Sequence, residues 1–178
     1  MPLSTRPATI SDAPVIALLG RLSFAETFGY LFDGYEGDLS DYLDRTFAVP
    51  KIRASLAKAE NRYWLAVHDE LPVGYAKAKF PSGHPAIGEA KAGQLQKLYV
   101  LRAFQDQRIG GCLMERVEAE AEAMGIDPLW LAVLRSNRRA IGFYNRHGWR
   151  SVGADRFSIG AQTFDFAIMR IDRNRKPG

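Results

Sequence analysis

Leu98-Tyr99-Val100-Leu101-Arg102-Ala103-Phe104-Gln105-Asp106-Gln107-Arg108-Ile109-Gly110-Gly111 decides the fold, because an apolar strand runs through a polar turn directly into a long amphipathic helix. Such a junction aims the unpaired amides of a first helical turn at whatever lies in front of it, and the helix dipole favours an anion there. Two adjacent glycines in a helix interior would cost about 1 kcal/mol each. At positions 110 and 111 they allow a backbone to approach a ligand closely, or simply a helix to pack tightly on its strand. The segment lacks the Gly-Lys-Ser/Thr of a P-loop and the first glycine pair of a dinucleotide fingerprint. What remains is the pyrophosphate of another carrier.

On the near side of this junction the spacing predicts Gly93–Val100 as a strand, preceded by a Pro-, Gly- and Ala-rich loop over Phe80–Ala92. Tyr63–Val67 and Val73–Lys79 alternate with period two and are joined by a turn at Asp69-Glu70-Leu71-Pro72. Ser4–Pro7 reads as a first strand. Ser11 or Asp12 then caps a helix that carries Val15, Ile16, Leu18, Leu19 and Leu22 and ends near Phe24–Gly29, and two short helices follow at Asp38–Phe47 and Pro50–Lys58. On the far side, Ile109–Met124 buries Ile109, Leu113, Val117 and Ala121 on one face and is closed by Gly125. Pro128–Leu134 is apolar enough to be a strand covered on both faces. A short helix at Asn137–His147 and two strands, Trp149–Asp155 and Thr163–Ile171, complete an α/β sandwich with a mixed sheet. We expect one domain over residues 1–171 and a polar tail over 172–178.

Of the 178 residues, 47% are hydrophobic and 25% charged, which is the balance of a globular domain. The longest uninterrupted apolar run, Leu129–Leu134, is far short of a bilayer span, and the N-terminus lacks a signal-peptide layout, so a cytoplasmic location is expected. Cys112 is the single cysteine, and His68, His84 and His147 are scattered, so no metal site is expected. The net charge of +4 would suit nucleic acid. Six arginines, at 102, 108, 135, 138, 139 and 146, nevertheless cluster around the segments that matter here, and a small polyanionic ligand explains that placement equally well.

The strand-turn-helix segment resembles the acetyl-CoA motif of the GNAT superfamily, Gln/Arg-x-x-Gly-x-Gly/Ala, with Gln105 first and Gly110 last. Arg108 stands where that family usually has glycine. Asn137-Arg138-Arg139-Ala140-Ile141-Gly142-Phe143-Tyr144 resembles the family's Asn-x-x-Ala-x-x-Phe-Tyr pattern, and Gly148-Trp149 begins the next strand as relatives do. The two motifs lie within Gln94–Val152, a third of the chain. The resemblance implies a three-layer sandwich with a mixed, mostly antiparallel sheet flanked by helices, and acetyl-CoA as co-substrate without metal. It implies that Leu98, Tyr99 and Val100 hold the pantetheine arm, and that Gln105, Asp106, Gln107, Arg108, Ile109, Gly110 and Gly111 hold the pyrophosphate. Asn137 is implied as a hydrogen-bonding partner of the cofactor and Tyr144 as both a cofactor contact and the catalytic group beside the sulfur.

Those roles make physical sense, since an extended pantetheine can pair with a strand edge, and Tyr144 falls on the same helical face as Asn137. Core packing is the competing role for Tyr144, because Ala140, Phe143, Tyr144 and His147 form a stripe. A primary amine with a pKa near ~10.4 must lose a proton before it attacks. Many relatives carry a glutamate on the strand matching Gly93–Val100, yet Gln94 and Gln96 stand here, and Ala132 on the other central strand is equally inert. Glu26, Asp33 and Glu89 are the acids nearest to segments that line the acceptor side in relatives. Cys112 has no His-and-acid pattern beside it and reads as packing.

Over much of the chain, Ser23–Tyr30, Asp38–Phe47, Trp64–Val67 and Val73–Ala76 look like bacterial polyamine (spermidine/spermine) acetyltransferases. The expected reaction is acetyl transfer to a primary amine of a small molecule in a ternary complex, with no nucleic-acid or membrane partner and a homodimer as the candidate assembly. The alternatives are a protein N-terminal or lysine acetyltransferase and a non-catalytic acyl-CoA-binding module, which an intact Tyr144 disfavours.

Overall fold

The structure is a computed structural model that describes residues 3–173. Its strands are β1 (Ser4–Pro7), β2 (Asn61–His68), β3 (Leu71–Lys79), β4 (Gly93–Val100), β5 (Leu129–Leu134), β6 (Arg150–Ile159) and β7 (Gln162–Ile171). The helices are α1 (Ala13–Phe28), α2 (Glu36–Thr46), α3 (Val49–Leu56), α4 (Ile109–Ala123) and α5 (Arg138–Arg146). The strands form a seven-stranded mixed sheet in the order β1-β2-β3-β4-β5-β7-β6, flanked by helices. β1/β2, β5/β7 and β6/β7 are antiparallel, and β4/β5 is parallel. The α/β class, the mixed sheet and the order of elements agree with the expectation.

The described chain divides into two compact units. One runs to Ala78 and resumes at Lys97–Glu118; the other comprises Lys79–Gln96 and the chain from Ala119 onward. In the first, α1 and α3 lie on β2 and β3 through Ile16, Leu19, Ile52, Tyr63, Leu65 and Tyr75. Removing a residue such as Leu65 from water contributes about 2 kcal/mol. Tyr63 to Ala66 are all buried, so β2 is covered on both faces and its period-two pattern understates its burial. In the second, Ile87, Ala92, Trp130 and Ile168 form a smaller core beneath β5 and β7.

Several boundaries differ from the sequence expectation for identifiable reasons. Asp12 is the N-cap residue of α1, but its side chain makes no capping bond to that helix; its carboxylate accepts the Thr9 amide at 2.7 Å and closes a 3-10 turn over Ile10–Asp12. The β2–β3 turn is Asp69-Glu70 alone, with both residues in the left-handed region at φ 48° and 67°, so β3 begins at Leu71 rather than Val73. α2 starts at Glu36 and α3 at Val49, with Pro50 in its first turn as expected. Gly125 takes φ 67° past the end of α4, as a left-handed cap should.

Of the expected tail, Asp172 is bound by Arg170 at 2.5 Å and Arg150 at 3.1 Å, and the Arg173 amide donates to Asp127 at 3.0 Å. These two residues are therefore tied to the fold; 174–178 lie outside the described residues. The 23-residue run Ile10–Phe32, with an 18-residue window of mean hydropathy 1.3, is long and apolar enough to cross a bilayer by length and composition. In the fold, Ala13, Ile16, Ala17, Leu19 and Phe24 are spent on burial.

Gly74 explains how closely β3 and β4 approach. A Cβ there would lie 2.5 Å from the Tyr99 carbonyl oxygen, nearer than any real Cβ contact. Next to it the Leu101 amide donates to the Val73 carbonyl at 2.9 Å, which fixes the point where the chain leaves β4 for the turn.

Candidate functional site

The turn after β4 is built entirely within the first unit. Arg102–Phe104 makes one 3-10 turn, and Gln105 is extended at φ −66° and ψ 161°. Asp106 and Arg108 then both take left-handed backbone, at φ 66° and 61°. Backbone of alternating hand makes successive N–H groups converge on one side, a concavity suited to an anion. The Cys112 amide bonds to the Arg108 carbonyl at 3.0 Å, so Ile109, Gly110 and Gly111 precede the first amide of α4 that finds a partner four residues back. This also accounts for the family glycine at position 108, because glycine adopts φ near +60° without the cost a side chain incurs. Arg108 takes that conformation with its side chain exposed.

Gln105 serves the turn from inside, its side-chain amide donating to the Val100 carbonyl at 3.1 Å. Leu98, Tyr99 and Val100 are each half-buried. The β4/β5 ladder comprises Gly93 opposite Leu129 and Gln94 opposite Trp130, so it ends at Gln94 and these later residues stand outside it. Cys112 is a free, half-buried thiol in the first turns of α4.

The second motif is built within the other unit. Asn137 caps α5, its Oδ1 accepting the Ala140 amide at 3.1 Å. The carbonyl of this side chain is thus committed to the helix, and its Nδ2 is the group left to offer a ligand. His147 is the C-cap, with Nδ1 2.8 Å from the Phe143 carbonyl. Tyr144 is half-buried, its ring 5.4 Å from Phe143 and 5.9 Å from the buried Trp149, both edge-on.

The acids proposed for proton removal are largely occupied. Glu26 accepts the Arg102 amide at 2.9 Å, while the Arg102 guanidinium donates to the Glu26 carbonyl. Glu89 is gripped by both terminal nitrogens of Arg170, at 2.6 and 3.0 Å. Asp33 is exposed. Gln94 Oε1 accepts from Gln96 Nε2 at 3.0 Å and from Ser82 Oγ at 3.3 Å, so the two glutamines form one neutral network.

Two features were not singled out from sequence. His84 and Asp155 meet at 3.2 Å although they are 71 residues apart, a pairing no local pattern could show. His84 Nδ1 accepts the Ala86 amide at 3.1 Å, which leaves Nε2 as the nitrogen that donates to Asp155. The Arg156 amide, and after it His84, holds the Asp155 carboxyl below its ordinary range. The ring of His84 also leans on Trp130, whose Nε1 donates to the Ser82 carbonyl at 2.7 Å. The second feature is Lys97, which had a sequence signal. On β4 it falls on the face of Leu95 and Tyr99, a charge in an otherwise apolar stripe.

Residues 25–149, more than half of the chain, match the Acetyltransferase (GNAT) family. An uncharacterised N-acetyltransferase of Lactobacillus delbrueckii subsp. lactis is 24% identical over 149 residues, covering 84% of this chain and 85% of that protein. The PaiA N-acetyltransferase of Thermoplasma acidophilum, solved with coenzyme A, superimposes with a TM-score of 0.78 at 19% identity, over 97% of this chain and 100% of that one. Arabidopsis thaliana NAA60, solved with acetyl-CoA, gives a TM-score of 0.71 at 17% identity, over 98% of this chain and 100% of that one. The family match covers the strand-turn-helix and Tyr144 alike, and the chain belongs to the GNAT family of acetyltransferases.

Proposed function

We propose that the protein moves an acetyl group from acetyl-CoA to the primary amine of a small molecule, by direct transfer in a ternary complex. The observation that carries this reading is the Gln105–Gly111 turn, in which left-handed Asp106 and Arg108 lead into the Ile109–Gly111 amides at the start of α4. A pyrophosphate matches that donor set in charge and in demand for hydrogen bonds. Arg108 adds a cation to it, and the β4 backbone from Leu98 to Val100 receives the pantetheine as an added strand would. Asn137 contributes its Nδ2.

Acetyl-CoA supplies an activated thioester. The acceptor nitrogen attacks its carbonyl carbon, the C–S bond breaks, and Tyr144 Oη gives its proton to the departing sulfur. The amine sheds its protons to solvent, from which Tyr144 recovers the one it gave, because Gln94 and Gln96 cannot take them, Glu26 already accepts the Arg102 amide and Glu89 is held by Arg170. The rate should therefore climb with pH as the free-amine fraction rises. A plateau beginning at pH 6–7 would require an ionising protein group and return attention to Asp33 and the histidines.

The reading treats residues 1–171 as one catalytic domain. A cytoplasmic location and a homodimer accompany it as expectations, the second checked by light scattering. Release of CoA across a panel of primary amines, including spermidine and a peptide with a free N-terminus, tests the function. Turnover of small amines supports it. Turnover of the peptide alone would make the protein a peptide acetyltransferase, and acetyl-CoA binding without any turnover would make it a binding module.

A further inference from the structure

Lys97 occupies an unusual place for a lysine. Its neighbours on the same face of β4 are Leu95, which is 3% exposed, and Tyr99, and its Nζ lies 5.6 Å from the ring centroids of both Phe47 and Tyr99. Tyr42 and Phe24 extend the same aromatic group, with Phe24 4.7 Å from Tyr42 and 6.2 Å from Phe47. The Tyr42 hydroxyl is pushed up by burial, and the nearby charge of Lys97 works against that shift. Among the described residues no carboxylate pairs with Lys97. Ring faces attract an ammonium but do not neutralise it, and a half-buried cation favours a direct anionic partner. A lysine needed only for solubility would extend into water; this one is turned among rings.

An ammonium held in this place repels a polycation. Lys97 immediately precedes Leu98–Val100, the segment read above as the pantetheine strand. We propose that Lys97 is the counter-charge for a carboxylate on the acceptor, so that the substrate is an aminocarboxylate with an apolar or aromatic side chain rather than a polyamine. The half-buried ring of Tyr42, backed by Phe24 at 4.7 Å, receives that side chain. This inference rests on the acetyltransferase reading and names the substrate class for it.

The test compares matched pairs: phenylalanine with 2-phenylethylamine, leucine with isopentylamine, and methionine with its decarboxylated amine, alongside spermidine. CoA release is measured for the wild type, Lys97→Met and Lys97→Arg, and calorimetry measures binding of the three acids. Methionine keeps the length and apolar stem of the lysine, and Tm confirms that each variant is folded. At least one acid should be preferred to its decarboxylated partner, with kcat/KM falling about 30-fold in Lys97→Met and largely recovering in Lys97→Arg, while the plain amine changes by less than about threefold. Equal losses for acid and amine, or preference for spermidine or for every decarboxylated partner, would overturn the inference and leave acetyl transfer intact. If no amine is turned over but an acid binds and loses affinity in Lys97→Met, acetyl transfer fails and the anion site stands. Absence of both turnover and acid binding overturns both.

Discussion

The side-chain amide of Gln105 donates to the carbonyl oxygen of Val100 at 3.1 Å, tying the last residue of β4 to the turn that opens α4. A glutamine so used braces the turn that carries the amides of Asp106 to Gly111. Gln105→Ala should weaken acetyl-CoA binding by about tenfold, the worth of one well-placed hydrogen bond, and lower Tm by no more than a few degrees. Calorimetry and a melting curve separate this from Gly110→Glu, whose carboxylate would meet the same anion and should abolish binding in a folded protein.

Arg108 combines a backbone cost with an electrostatic gain. At φ 61° a non-glycine residue costs about 1 kcal/mol or more, which Arg108→Gly relieves and Arg108→Ala does not. Arg108→Gly should therefore raise Tm while Arg108→Ala leaves it nearly unchanged. Both should bind acetyl-CoA more weakly at low salt, with the deficit shrinking as salt rises. Affinity independent of salt in all three proteins would confine Arg108 to a surface role.

The contact between Gly74 and Tyr99 predicts a structural defect of a different kind. In Gly74→Ala the new methyl meets backbone rather than a flexible side chain, so β3 and β4 must separate locally. Destabilisation of about 2–3 kcal/mol by urea denaturation is expected, on the scale of overpacking. A change under about 0.5 kcal/mol, the noise of surface substitutions, would show that the strands are free to move apart.

Arg6 donates to both carboxylate oxygens of Asp12, at 2.8 and 2.9 Å, and together with the Thr9 amide lowers the Asp12 pKa from 3.8 to about 2. A folded pKa below the unfolded value contributes stability above pH 4 that is lost as pH falls from about 4 to 2. With Arg6 half-exposed, the contribution is on the order of 1 kcal/mol. Wild type and Asp12→Asn should thus differ in stability at pH 6 and converge near pH 2. A gap that persists at pH 2 would assign the effect to hydrogen bonding alone.

Much of this architecture was legible because its signals are local. The β4-turn-α4 junction, the period of α4 and the Gly125 cap each rest on residues adjacent in the chain, and β1 and β4 have the boundaries their patterns imply. The β2–β3 turn was read too long because Asp69 and Glu70 adopt left-handed backbone with no glycine to announce it. Asp12 looked like a helix cap, yet Arg6 and Thr9 draw its carboxylate backwards into a 3-10 turn. For the candidate site, motif spacing singles out Gln105, Asn137 and Tyr144, whereas the partners of Gln105 and Asn137 within the fold, the Val100 carbonyl and the Ala140 amide, are set by geometry. The engagement of Glu26 by Arg102 and of His84 by Asp155 joins residues more than seventy positions apart, beyond the reach of any local pattern.

The central claim, acetyl transfer with Tyr144 as the acid, is tested most directly by steady-state CoA release in Tyr144→Phe. The substitution keeps the ring that meets Phe143 and Trp149 and removes only the proton donor. A proton delivered to the leaving sulfur is worth about 10²–10⁴ in rate. The account predicts a loss of kcat of that size with acetyl-CoA affinity and Tm nearly unchanged, since the contact acts mainly as the C–S bond breaks. A variant that keeps its turnover and loses stability would contradict it, and would assign the Tyr144 hydroxyl to holding the structure.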